Sequence, residues 1–546
     1  MTEDILIKNG HVIDGTGSKS FKADILVKDG KIYDIGNIEK ERDVKTIDAT
    51  NLVVAPGFID VHSHLDFFIP IPRHAEALET WIEQGATTIV AGNCGYSPAP
   101  INHDFEEFIS TYWNFALPKD GLEFKWDTMS DYLKYLEDIG QALNVAILTG
   151  HNTLRLNVMG LNARFANDDE IKEMKKMLRQ SLLDGSIGLS LGLGYVPGLY
   201  SHTTELIELA KVLKEFNAPL VPHTRGLLTK TYNKAVEEVI HVAETVGIPL
   251  QISHHAGGGI GRSRKLAIRA INEALERGVK IGHDNIPWAN ASTTILSLFP
   301  PIYFDGGLDN FFQRLENPET RQKIKQTMMT ASPKWPPWDH EFITESRFSE
   351  NLLIYGFRKE KYKKFNFKTI KEVAKSLNKD PIDTLIDITI EEKGKLILIS
   401  GQFEYNEMVE NFVAGLFHDP NCSVGSDVVG IDLNTIHPHA YGTFTKILGN
   451  YARDRNEFPL EEAVRKMTSL PARQMQLKDR GVLKVGAHAD IAIFDPKTIK
   501  CNATFLNPRQ RSTGVHHVII NGKLVYENRH YDPKILPGKI IRRINK

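Results

Sequence analysis

Cysteine is scarce in this chain. Three occur in 546 residues, Cys94, Cys422 and Cys501, too few for a disulfide framework, so a reducing compartment fits best. Long apolar runs are missing too: no stretch approaches the roughly 18–20 apolar residues of a membrane helix. The opening "MTEDILIKNG" lacks the cationic start and apolar run of a secretory signal. Neither sign of charge dominates. Lys and Arg number 66 against 68 Asp and Glu, a net of −2, so no basic surplus points to nucleic acid and no polybasic block to a membrane surface. The body shows no internal repeat and no low-complexity tract, and no G-x-G-x-x-G follows any apolar run. These absences leave a soluble cytoplasmic chain whose expected partner is a small-molecule substrate, with a homo-oligomer left open.

What is present is a hydrophobic fraction of 41%, ample for a large core. Eight short apolar runs alternate with amphipathic stretches: "LVVAPGFIDVHSH", "TTIVAGNCG", "NVAILTGH", "SIGLSLGLG", "APLVPHTRG", "IPLQISHH", "VKIGHDNIP" and "CSVGSDVVG". Fully apolar strands separated by helices indicate a parallel sheet, and eight such units fit a (β/α)8 TIM-like barrel. An open doubly wound sheet is the alternative, disfavoured by the missing glycine motif. Both chain ends carry Asn-Gly or Asp-Gly pairs between strand-like pieces, at Asn9-Gly10, Asp29-Gly30 and Asn521-Gly522, suited to tight hairpin turns. The ends are therefore expected to build one small β-sandwich domain, residues 1–55 with 481–546, around a barrel of residues 56–480. An insertion at about 289–420, including "SPKWPPWDHEF", is expected to form a lid or substrate wall.

Polar residues gather at the strand ends: His62 and His64 on strand one, Cys94 on two, His151 on three, His223 on five, His254-His255 on six, His283-Asp284 on seven and Asp427 on eight. In a barrel these positions converge on one mouth. Residues i and i+2 face the same side of a strand, so His62 and His64 point together. Two neutral imidazoles in an apolar interior each need a partner, and a divalent cation supplies both. Imidazole nitrogen with a thiolate suits zinc.

Taken in order, "PGFIDVHSHLD", "GNCGYSPAP", "GSIGLSLGLGYVPGLY", "PHTRG", "ISHH", "GSDVVG" and "HPHAYGTFTKILGNYARD" resemble the N-acyl-D-amino-acid deacylase family of the amidohydrolase superfamily. The resemblance covers nearly the whole chain. It implies a tight zinc held by Cys94, His223 and His254. A weaker second position would use His62 and His64 with Cys94 bridging, and Asp427 would be the catalytic carboxylate. Strand parity does not separate His254 from His255; the family pattern favours His254. A bound metal lowers the pKa of water from near 16 to about 7 and polarises an amide carbonyl. Asp427 would then pass a proton from water to the leaving nitrogen. Deacylation of an N-acyl-D-amino acid or a derivative is the expected reaction. A hydantoinase-like cyclic-amide hydrolase is the alternative, and a non-catalytic scaffold the third reading.

The chain also departs from the family. Ala256 stands where members carry a lysine, His439 where they carry an arginine, and Ile286 and Trp288 replace two tyrosines. The missing cations suggest a substrate without a free α-carboxylate, or one held by another cation. Arg225 and Arg155 are candidates, each of which could equally be a structural ion-pair partner. His151, His255 and Ser292 are further expected substrate contacts.

Overall fold

The computed structural model describes residues 4–39, 44–227, 231–255, 262–329, 352–401, 404–429 and 438–543. Ala256 with the glycines after it, the "SPKWPPWDHEF" stretch and His437 lie outside the described residues.

Eight parallel strands form the barrel: Phe58–Asp60, Ala86–Ala91, Asn144–Ile147 continued by Thr149–Gly150, Leu189–Gly192, Leu220–His223, Leu250–Ile252, Ile281–Asn285 and Cys422–Val424. The ring closes between the eighth and first strands, where the Asp427 N–H donates to the His62 carbonyl at 2.8 Å and the His64 N–H to Val428 at 3.2 Å. Ile59, Val61, Val90, Ala146, Leu148 and Val221 share an apolar cluster with Ala472, Met475 and Leu477, which follow the last strand. Filling a narrow barrel demands compact branched side chains, which these strands supply.

The outer helices bury one face each. Asp168–Asp184 starts on a reciprocal cap between Asn167 and Glu170 and stops at Gly185, whose φ of 123° suits glycine. Leu178 and Leu182 on that helix pack with Leu209 and Leu213 of Thr203–Phe216 and with Val239 and Ala243 of Tyr232–Val246. Each fully buried leucine or valine stabilises by about 1.5–3 kcal/mol.

Both chain ends contribute to one nine-stranded sheet. Val53–Pro56 lies at its centre, between Ile5–Val12 and Ile491–Phe494. Two expectations need correction. Asn9-Gly10 is not a hairpin turn: Ile5–Val12 runs through it, and Asn9 takes a φ of 61° where the register with Phe21–Lys28 slips, a β-bulge. The run "LVVAPGFIDVHSH" is two strands: Val53–Pro56 joins the terminal sheet and Phe58–Asp60 the barrel. The change falls at Gly57, where a Cβ would lie 2.2 Å from Thr87 Cγ2, so only glycine lets the chain cross there. The turns at Asp29-Gly30 and Asn521-Gly522 do connect paired strands, with positive φ at all four residues.

The insertion after the seventh strand holds an antiparallel sheet ordered Asn290–Thr294, Ile397–Gly401, Leu352–Tyr355 and Lys368–Thr369. Helix Glu407–Leu416 follows and leads into the eighth strand.

Candidate metal centre at the barrel mouth

Cys94 sits just past the second strand with a φ of 53°, His254 past the sixth with 33°, and Asp427 past the eighth with 48°. Left-handed backbone at non-glycine residues costs energy and persists where the surroundings enforce it, as at functional sites. Here it turns three side chains into one space. Cys94 Sγ lies 3.5 Å from His62 Nε2 and 3.6 Å from His254 Nε2, and His254 Nε2 lies 3.0 Å from His223 Nδ1. Two groups, His62–His64–Cys94 and Cys94–His223–His254, keep their donor atoms within 4.8 Å of one another. Cys94 belongs to both.

Supporting groups orient these donors. Asp284 Oδ1 accepts from His62 Nδ1–H at 3.1 Å and from the His254 N–H at 2.9 Å, and its other oxygen accepts from Gln251 at 3.2 Å. With Nδ1–H held by Asp284, the His62 ring presents Nε2 towards Cys94. Asp60 accepts from Trp81 Nε1 and from the Ser426 amide and hydroxyl, fixing the first strand to the loop that carries Asp427. Gly194 leaves room for the His223 ring, because a Cβ there would stand 2.8 Å from Nε2.

The charges also fit a cation. Burial opposes a charged thiolate at Cys94, but His62 and His223 outweigh it and hold the thiol well below its ordinary value. Burial raises Asp427, yet the hydrogen bond from His64 and the charges of His62 and His254 bring it to about 2. Burial lowers His64, but Asp427 and Cys94 drive it to about 9. His62 is likewise raised against its burial by Asp284 and Cys94. A thiolate and two carboxylates therefore draw positive charge into a buried space, which one divalent ion supplies with fewer groups than several protons. Nitrogen and sulfur donors gathered within 4.8 Å of one another fit zinc.

A cavity of about 380 Å³ opens above the donors. His64, Cys94, His223, His254 and Asp427 form its floor; Phe115, Tyr195, Ile286, Trp288, Phe412 and Val413 give it apolar walls. Ser292, one of the residues singled out from sequence, lines it, and so does Asn285. Arg225, Arg155, His151 and His255 do not. Arg225 is held by Glu238 at 3.0 Å and the carbonyls of Leu199 and Ser201. Arg155 and His151 both engage buried Glu205. His255 meets the Tyr232 hydroxyl at 2.7 Å. Asp60 escaped the sequence-based set, and Asp284 was placed at the mouth without a role. Asp284 follows His283 on a strand where alternate residues face inward, which was the available signal.

The amidohydrolase family profile matches residues 45–303 and 367–526. The chain belongs to the amidohydrolase family, and with its two donor triads that makes it a metal-dependent hydrolase of this class. Within the family it is closely related to the D-aminoacylase and N-acyl-D-glutamate deacylase group. It is 31% identical over 546 residues to N-acyl-D-glutamate deacylase of Alcaligenes xylosoxydans xylosoxydans, covering 99% of this chain and 96% of that protein. D-aminoacylase of the same organism is 30% identical over 531 residues, covering 97% and 95%. The solved structure of N-acyl-D-glutamate deacylase from Bordetella bronchiseptica, complexed with zinc and a phosphonate inhibitor, superposes with a TM-score of 0.78 at 28% identity, covering 99% of this chain and 100% of that one.

Proposed function

We propose that this chain hydrolyses the linear amide bond of an N-acyl-D-amino acid or a derivative of one, with zinc held by Cys94, His223 and His254 and a weaker second position at His62, His64 and Cys94. The observation that carries this reading is that Cys94, His223, His254, His64 and Asp427 share the floor of one cavity at the barrel mouth, with His62 buried directly behind Cys94. Bound zinc supplies Lewis acidity, which polarises the amide carbonyl and lowers the pKa of water. Asp427, ionised at neutral pH, accepts a proton at a carboxylate oxygen and hands it to the amide nitrogen, which leaves poorly as an anion. The hydrogen bond of 3.2 Å from His64 Nε2 to Asp427 Oδ1 holds the carboxylate towards the cavity. Apolar walls keep bulk water out, which strengthens each charge interaction inside.

No lysine or arginine lines the cavity among the described residues. An α-carboxylate would therefore lose a charge-assisted hydrogen bond worth about 1.5–3 kcal/mol. That favours substrates whose carboxylate is masked, as an amide or ester, and whose side chain or acyl group is apolar. A panel of N-acyl-D- and N-acyl-L-amino acids, their amides and esters, and cyclic imides tests this with and without added zinc. Zinc-dependent turnover of D-configured linear amides is expected, and Asp427→Asn should lower kcat by about 10²–10⁴-fold. Preference for the cyclic imides, or faster turnover of simple N-acetyl-D-amino acids than of their amides, would refute the corresponding half of the proposal.

A further inference from the structure

A second cavity, of about 620 Å³, lies at the opposite end of the barrel, where Ile187 precedes the fourth strand and residues 539–543 pass beside the start of the third. Its floor is apolar: Ile187, Ala472, Met475, Leu477 and Ile541 belong to the cluster that closes the barrel base. Its rim is cationic. Arg473, Lys478, Lys539 and Arg543 line it, and among the described residues none of the four pairs with a carboxylate. Arg543 donates only to the carbonyls of Ile187, Phe216 and Asn217 and to the Gln476 side chain, so its charge is solvated but not neutralised. Asp479, the carboxylate in this wall, already faces Lys484 at 3.3 Å. An adjoining hollow shares Lys539 and His488 and adds Lys31, Lys523 and Asp29.

The chain as a whole carries a net charge of −2, so this concentration of positive charge is local. Like charges gathered around a concave, partly dry surface repel one another and raise the local concentration of anions. The volume falls within the range of about 300–1,000 Å³ that suits small ligands. The Arg473 guanidinium fork matches phosphate oxygens, Lys478 and Lys539 supply point charges beside it, and Arg543, whose N–H groups already bond to carbonyls and Gln476, adds charge alone. We propose that this basal cavity binds a small polyphosphate ester with a compact apolar body, such as a nucleoside di- or triphosphate, its phosphates on the Arg473, Lys478, Lys539 and Arg543 rim and its body on the Ile187–Leu477 floor. The site is remote from the barrel mouth and independent of the proposed hydrolysis. Its occupant would clamp the 539–543 segment to the turn after the last barrel helix.

Titration calorimetry on the full chain at physiological salt tests the proposal, with ATP, ADP, tripolyphosphate and adenosine as titrants. Saturable binding of one nucleotide per chain is expected, stronger than tripolyphosphate, with none for adenosine. The double variant Lys478→Glu/Lys539→Glu changes two exposed side chains without ion partners. It should weaken nucleotide binding about tenfold or more while leaving hydrolysis and the ligand-free melting temperature unchanged. Absence of saturable binding at millimolar nucleotide, or binding that the double variant does not alter, would overturn the proposal. So would tripolyphosphate binding as tightly as ATP, or binding confined to an RNA oligonucleotide or anionic vesicles.

Discussion

Asp284 does not line the cavity, yet it bonds to two of the proposed ligands, through the His62 ring and the His254 backbone. Removing such a supporting carboxylate weakens metal binding about 10–100-fold in comparable sites. Asp284→Ala should therefore release zinc to a chelator at concentrations that leave the wild type loaded, with far-ultraviolet circular dichroism unchanged. Glu205 makes a different prediction. Burial raises its pKa, but Arg155 and His151 outweigh that and lower it from 4.5 to about 2. A lowered carboxylate contributes stability that is complete above pH 4.5 and disappears as the pH falls towards 2. Glu205→Gln should cost about 3–5 kcal/mol near neutrality, because Arg155 stays buried without its partner. In urea titrations that gap should narrow steadily below pH 4.5. Sequence made the donors legible as a set, because histidine and cysteine at several strand ends converge on one barrel mouth. It did not separate Arg225 and Arg155 from substrate contacts, because their partners Glu238 and Glu205 arrive on helices 13 and 50 residues further along.

At the scale of elements, helix Glu407–Leu416 is the part of the insertion most directly engaged with the cavity. It presents Val409, Phe412, Val413 and Leu416 to it, while Asn290–Thr294 supplies the facing edge. Phe412 is 42% exposed, so its truncation empties a wall rather than the core. Phe412→Ala should raise KM by about 5–30-fold, the worth of roughly 1–2 kcal/mol of apolar contact, with kcat nearly unchanged. An equal fall in kcat would instead place the ring in the reacting geometry. The strand order was readable from apolar runs flanked by glycine, but the split at Gly57 was not. Val53–Pro56 and Phe58–Asp60 are equally buried, and only the neighbour Thr87 reveals where the chain changes sheets. The bulge at Asn9 was hidden for a related reason: an Asn-Gly pair serves a turn and a left-handed bulge equally well.

At the scale of the molecule, the barrel depends on closure. The bonds joining its eighth strand to its first run through His62, His64 and Asp427, and the last two also line the cavity floor. The candidate site and ring closure thus share a seam, and the terminal sheet braces the barrel base through the side-chain bonds of Asn144 to Asp490 and of Asn521 to Asn144. No helix among the described residues is long and apolar enough to cross a membrane. The central claim is that Cys94, His223 and His254, past or at the ends of the second, fifth and sixth strands, hold the catalytic ion, and Cys94, common to both triads, is its most sensitive point. Metal analysis and amide hydrolysis measured on the same preparations of wild type and Cys94→Ala test it directly. The account predicts about one tightly held zinc per wild-type chain, with ion and activity lost together in the variant. A Cys94→Ala protein that still hydrolyses the substrate at the wild-type rate, or a fully active wild type free of metal, would contradict it.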